Sequence, residues 1–202
     1  MREPGGNLTG VRYPGPDLAI KRFEIMREIV PNAKRIWIPF QRGYPIVTSQ
    51  LEALRPAAAS TGVALEETPI SDVDELKSFL QKRAESPDIG MDAILFIAEP
   101  LCVRPDVFAV LGQFADEHRI PAGGAFMSSI EGHESVFGVT TDSIQVGRQA
   151  AVLADKILRG TLAGTIPVVS AEGYLTINYR AAKKQGIQVS EGLLSRANEI
   201  IR

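Results

Sequence analysis

The chain has 202 residues, 45 % of them apolar, with one cysteine and two histidines. A formal net charge of −2 and a pI near 5.8 exclude the clustered cationic face of a nucleic-acid binder, so doublets such as Lys34-Arg35 and Lys183-Lys184 read as solvated surface. A lone Cys102, with only His118 and His133 beside it, excludes a disulfide framework, a cysteine-based metal site and a zinc constellation.

In chain order, a Pro- and Gly-rich connector comes first, and Pro16 is placed at the start of a helix. Ala19, Phe23, Met26 and Val30 recur at spacings of four, three and four, which makes one helical face, and Pro31 stops it. Residues 35–40 read as a short buried strand. Pro45 to Ser60 reads as a second helix with Val47, Leu51, Leu54 and Ala58 inward and a kink or shortening expected at Pro56. Val63-Ala64-Leu65 is a strand. Ser71 is expected to cap the next helix, with Asp74 as a partial capping box and Val73, Leu76 and Leu80 inward. Residues 92–98 have no polar alternation, as in a parallel strand covered on both faces. A helix from Pro105 follows, and Arg119-Ile120-Pro121-Ala122 leads into a further strand and then a Gly123-Gly124 turn.

The last third begins with a strand at 136–139. Asp142 then caps a long helix, Ile144 to Arg159, lined by Gly147, Ala150, Ala151 and Ala154 and closed by Gly160. A strand at 174–177, a helix from Tyr179 to Gln185 and a final helix carrying Leu193, Leu194, Ala197 and Ile200 complete the chain. Strand–helix alternation with four or five parallel strands predicts an α/β fold, a three-layer α/β/α sandwich on a mostly parallel sheet. Ligands of such sheets sit beyond the carboxyl ends of the strands. That points to the loops Phe40–Pro45, Glu99–Cys102 and Gly123–Met127.

No motif carries catalytic chemistry. Pro4-Gly5-Gly6-Asn7 lacks the context of a phosphate cradle and reads as a turn or hinge. Asn7-Leu8-Thr9 matches a glycosylation acceptor that is too short to carry weight. His118 suits a helix C-terminus, and His133 falls in an expected exposed loop. Ser128, Ser129, His133 and Glu134 lack the nucleophile elbow of a hydrolase. Trp37 reads as core. Cys102 has no adjoining cation to activate it, and the strand ends lack the acidic pocket of a receiver domain. The chain is therefore read as a non-enzyme with no cofactor and no metal. No apolar run reaches the roughly 18 residues of a membrane span. Residues 1–20 lack the basic start and apolar stretch of a secretory signal, so the chain as written reads as cytoplasmic.

The stretch PGGNLTGVRYPGPDLAIKRFEIMREIVPNAKRI resembles the segment that enters the second lobe in ABC-transporter substrate-binding proteins of the tryptophan/tyrosine-type family. LFIAEPLCVRPDVFAVLGQFADEHRIPA is similar to that family's strand–loop–helix–strand unit, and QVGRQAAVLADKILRGTLAGTIPVVSAEGYLTINYRAAKKQGIQVSEGLLSRANEII resembles its closing stretch. The resemblance implies one lobe of a type I periplasmic binding protein, the second, with the first lobe and its export signal left out. It divides the chain into a hinge connector (1–13), a second-lobe α/β core (14–133), a segment that returns to the first lobe (134–169), and a closing strand with C-terminal helices (170–202).

The implied function is capture of a small amino-acid-like, possibly aromatic, ligand between two lobes and its delivery to an ABC permease. The full-length parent is then periplasmic or membrane-anchored and extracellular. The alternative is the ligand-sensing domain of a transcription regulator, or another small-molecule sensor with the same fold. Expected ligand residues are Phe40, Gln41 and Tyr44, then Glu99, Pro100 and Leu101, then Gly124, Ala125 and Phe126, with Thr141 and Asp142 from the returning segment. Aromatics would wall a ring, backbone amides would take a carboxylate, and Glu99 would pair with an ammonium group. Phe40-Gln41-Arg42-Gly43 replaces the family's Asn-Pro-like stretch, and Arg42 there raises an acidic or longer ligand. Without its lobe, the helix Ile144–Arg159 predicts self-association, docking elsewhere or segment exchange.

Overall fold

A computed structural model describes residues 3–202. The chain divides into two compact units and passes between them three times. One comprises Met1–Pro14 and Thr140–Tyr174, the other Gly15–Val139 and Leu175–Arg202.

The larger unit is built on helices α1 (Gly15–Ile29), α2 (Val47–Ser60), α3 (Val73–Ala84) and α4 (Pro105–His118). They alternate with strands β2 (Arg35–Gln41), β3 (Ala64–Ile70), β4 (Ala93–Phe96) and β5 (Ala122–Gly124). A small hairpin, β6 (Ser129–Ile130) and β7 (His133–Glu134), precedes β8 (Phe137–Thr141). The closing segment adds β10 (Gly173–Asn178), α6 (Tyr179–Lys184), α7 (Glu191–Arg196) and β11 (Glu199–Ile201). The sheet has seven strands in the order β11-β10-β8-β5-β4-β2-β3. Its pairings β2–β3, β2–β4, β4–β5, β5–β8 and β10–β11 are parallel. The strands expected at 136–139 and 174–177 join the four of the core as β8 and β10, and β11, standing where the last helix was expected to continue, makes seven, so Ile200 belongs to a strand.

Alternation along each strand sends successive side chains to opposite faces. Ile36, Ile38, Leu95 and Ile97 therefore join one apolar cluster with Phe23, Met26 and Leu54 from α1 and α2. Trp37, Ile94 and Phe96 join the other, with Leu76, Leu80, Phe108 and Leu111 from α3 and α4. Two covered faces make three layers, which is the fold class the strand–helix alternation predicts.

Local differences have physical causes. Helix α2 runs through Pro56 instead of stopping there. Pro56 and Glu52 are both exposed, so water can reach the carbonyl that Pro56 leaves unbonded. The cap of α3 is Asp72, not Ser71: its carboxylate accepts from Asp74 N at 3.0 Å and Glu75 N at 2.8 Å. Strand β3 runs on to Ile70 past the expected Leu65. Its polar stretch suits a sheet edge, where Glu67 pairs with Arg55 and Thr68 accepts a 2.9 Å bond from Trp37 Nε1. The expected Gly123-Gly124 turn is strand β5. A Cβ at Gly124 would lie 2.1 Å from Phe96 O, so glycine is what lets β5 approach β4.

The smaller unit has one long helix, α5 (Ser143–Leu158), and a two-strand parallel pairing of β1 (Val11–Arg12) with β9 (Val169–Ser170). Asp142 caps α5, accepting from Ile144 N at 2.8 Å, as expected. The glycine connector packs by its backbone. Gly5 N donates to Gly164 O at 3.1 Å, and a Cβ on Gly164 would fall 2.2 Å from Gly6 O. Of α5's sixteen residues only Leu153 is buried, while Ile144, Val152, Ile157 and Leu158 are exposed.

Candidate functional site

The sheet order sets the parallel strands β5, β4 and β2 side by side, so their carboxyl ends adjoin along one rim. The loop after β4 is the most heavily organised part of it. Glu99 is only 4 % exposed. One of its carboxylate oxygens accepts from Gln41 N at 3.0 Å and Leu101 N at 2.9 Å, and the other from Cys102 N at 3.2 Å. The carboxylate thus ties the end of β2 to a 3₁₀ turn (Leu101–Val103) after β4. Burial pushes the Glu99 carboxyl above the ordinary glutamate range, against those same amide bonds, which pull it down. The residue read as an ammonium partner is instead committed to three backbone donors.

Gln50, which the sequence reading passed over, holds the same loop from α2. Its Nε2 donates to Ala98 O at 2.9 Å and its Oε1 accepts from Ala98 N at 2.9 Å. The signal was available: Gln50 is a polar residue beside Val47, Leu51 and Leu54 on the inward face. Cys102 is buried beneath, its Sγ against Glu99 O at 3.3 Å and Ile97 O at 3.5 Å. Burial first, and the Glu99 charge second, push its thiol up to about 12, so it stays protonated and inert.

Arg42, which had raised an acidic ligand, is drawn sideways. Its guanidinium donates to Ser71 Oγ at 2.9 Å, Pro69 O at 2.9 Å and Glu75 Oε1 at 2.7 Å. Arg104 pairs with Asp106. The half-buried side chains left along this rim are uncharged: Phe40, Gln41, Tyr44, Pro100, Phe126 and Met127, with Ile46 and Val103 exposed beside them. Leu101, Gly124 and Ala125 are buried, and Ala125 N is bonded to Phe96 O at 2.9 Å, so these three shape the rim from beneath. Thr141 and Asp142 lie in the smaller unit, where the Asp142 carboxylate is engaged as the cap of α5.

The hydrolase set does not assemble. His133 lies on β7, half-buried rather than in an exposed loop, and its Nδ1 faces Asp116 at 2.8 Å. Gly112 on α4 makes the room, since a Cβ there would lie 2.4 Å from that of His133. Glu134 is paired with Arg180. Among the described residues no group of three or more His, Cys, Asp or Glu could hold a metal ion, and no helix is long and apolar enough to cross a membrane.

Solved structures share this fold. An ABC domain from Streptococcus pneumonia, in complex with L-Trp, superposes with a TM-score of 0.76 at 21 % identity, over 98 % of this chain and 65 % of that one. A conserved domain protein from Vibrio cholerae has a TM-score of 0.72 at 28 % identity, over 98 % and 64 %. A LacI family transcriptional regulator from Bifidobacterium animalis reaches 0.62 at 11 % identity, over 83 % and 62 %. The chain therefore spans less than two thirds of the length of these relatives. The curated proteins contain no match. The model of the ABC transporter substrate binding protein family matches residues 1–201, and the chain belongs to that family.

Proposed function

We propose that this chain is the second lobe, with its closing segments, of a two-lobed substrate-binding protein that captures a small amino-acid-like solute and hands it to an ABC permease. The observation that carries the ligand side of this reading is the rim itself. Its nearby charges, Glu99, Arg42 and Arg104, are all consumed by protein partners, and what remains is aromatic, amide and apolar. A rim of this kind takes the uncharged body of a ligand against Phe40, Tyr44 and Phe126, leaving charged ends to backbone amides or to the opposing lobe. That weighs against an acidic ligand held by Arg42, and the L-Trp complex of a family-like neighbour fits the same chemistry.

In this reading residues 1–13 are hinge, 14–133 the lobe core, 134–169 the part that returns to a first lobe, and 170–202 the closing strand and helices. Closure of two lobes over the ligand supplies the differential affinity that a permease reads. Such a parent works in the periplasm or at the outer face of the membrane, and it performs no chemistry. For the chain taken alone, the bare face of α5 favours self-association. The regulator-sensor reading leans on fold likenesses at 11 to 12 % identity.

The test is an NMR titration of the chain with L-tryptophan, L-glutamate and L-rhamnose, read at the Gln41, Gly124, Ala125 and Phe126 amides. Binding is expected to be weak, with shifts from L-tryptophan only. Shifts from L-glutamate that vanish in Arg42→Met would replace the neutral-rim reading with an acidic-ligand one.

A further inference from the structure

Away from the strand-end rim, a groove of about 710 Å³ opens between α6, α7 and β11. It is lined by Tyr179, Arg180, Lys183, Leu194, Ile200 and Arg202, with Glu191 as its one acid. Two features make it a recognition surface. The first is charge. Three cations face one carboxylate, and of these Arg180 is engaged by Glu134, while Lys183 and Arg202 have no ion-pair partner among the described residues. The second is the backbone. β11 is the last strand of the sheet, and an edge strand presents its outer row of N–H and C=O groups unpaired. Beside that edge lie apolar side chains, Ile200 and Leu194 half-buried and Tyr179 39 % exposed.

We propose that this groove is a docking site for an extended acidic peptide segment of a partner protein, which adds to the sheet beside β11 and sets its carboxylates against Lys183 and Arg202. A small anion would need the cations alone. A strand is the occupant that uses the edge as well: main-chain bonds hold it, alternate side chains meet Tyr179, Leu194 and Ile200, and the intervening carboxylates meet the cations. Every lining residue lies in the larger unit, and none of them belongs to the rim.

The test is fluorescence anisotropy of the chain with a fluorescein-labelled peptide that alternates valine with glutamate. The acidic peptide is expected to bind, with an affinity that falls as salt is raised. Lys183→Glu combined with Arg202→Glu should weaken it at least about tenfold, equivalent to about 1.4 kcal/mol. Both residues are exposed, and an unchanged circular dichroism spectrum verifies that the double variant folds. The same peptide N-methylated at alternate amides should lose binding to a similar degree, because it keeps the charges and cannot pair with β11. Undiminished binding of the methylated peptide overturns the proposal in favour of a plain anion site. Equal binding of a valine–lysine peptide, or no binding of the acidic one, overturns it outright.

Discussion

The two units use the same local devices and reach different ends. α3 in the larger unit and α5 in the smaller one both begin at an aspartate whose carboxylate caps the first turn. Beneath α3, Leu76 and Leu80 enter a cluster with Trp37, Phe96 and Phe108, so the cap adds to an existing core. Beneath α5 only Leu153 is buried. The contrast separates local propensity from burial: capping sets where a helix starts, and packing sets how firmly it is held.

The largest test of that contrast is Leu54→Ala. Leu54 is fully buried between the α1–α2 layer and the sheet, and its truncation should cost about 2–5 kcal/mol in denaturant unfolding. A loss below about 0.5 kcal/mol would mean that the larger unit is not held by its core. Next comes Glu99→Ala, which strands three backbone donors and should cost about 1–3 kcal/mol. Hydrogen exchange at Gln41, Leu101 and Cys102 should quicken in parallel, and unaltered protection there would remove Glu99 from its organising role.

The caps give the most direct comparison. Asp72→Ala and Asp142→Ala each delete a cap worth about 1 kcal/mol. The first should shift the main unfolding transition. The second should leave that transition in place and raise exchange only across 143–158. If Asp142→Ala shifts the main transition equally, α5 is coupled to the core after all. Smaller again is Leu158→Ser on the bare face of α5. Leu158 is 87 % exposed, and the change should stay within about 0.5 kcal/mol while reducing self-association in sedimentation.

The smallest effect is read by titration, not by unfolding. The Arg35 guanidinium holds the Asp88 carboxyl down to about 2. A depressed folded-state value means that the favourable pairing is present above the ordinary carboxylate range and is lost as pH falls toward 2. NMR should show Asp88 ionised well below pH 4, and Arg35→Met should raise it toward the ordinary range, with the bond from Gly90 N still drawing it down.

Much of the fold was legible because its signals are local and redundant. The apolar run 92–98 and the spacing of Ala19, Phe23 and Met26 could only pack one way. The edges were harder. Glu66-Glu67-Thr68 looks like loop until Arg55 and Trp37 supply partners, and Asn198 to Ile201 looks like a helix tail until β10 lies alongside. The rim was legible in position and not in chemistry. Topology picked out the loops after β2, β4 and β5, but no spacing rule says that Glu99 turns back onto Gln41 N or that Arg42 finds Glu75. Those pairings join residues tens of positions apart, and a charge that looks free in one dimension is neutralised in three.

The buried thiol has a practical consequence. Cys102 is the chain's one cysteine, and its Sγ is both enclosed and protonated at working pH. A thiol-reactive dye should therefore pass over it in the native protein. A second cysteine introduced at an exposed rim position such as Val103 or Ile46 could be tagged selectively, so an optical reporter of the proposed solute capture can be installed without first removing the natural sulfur.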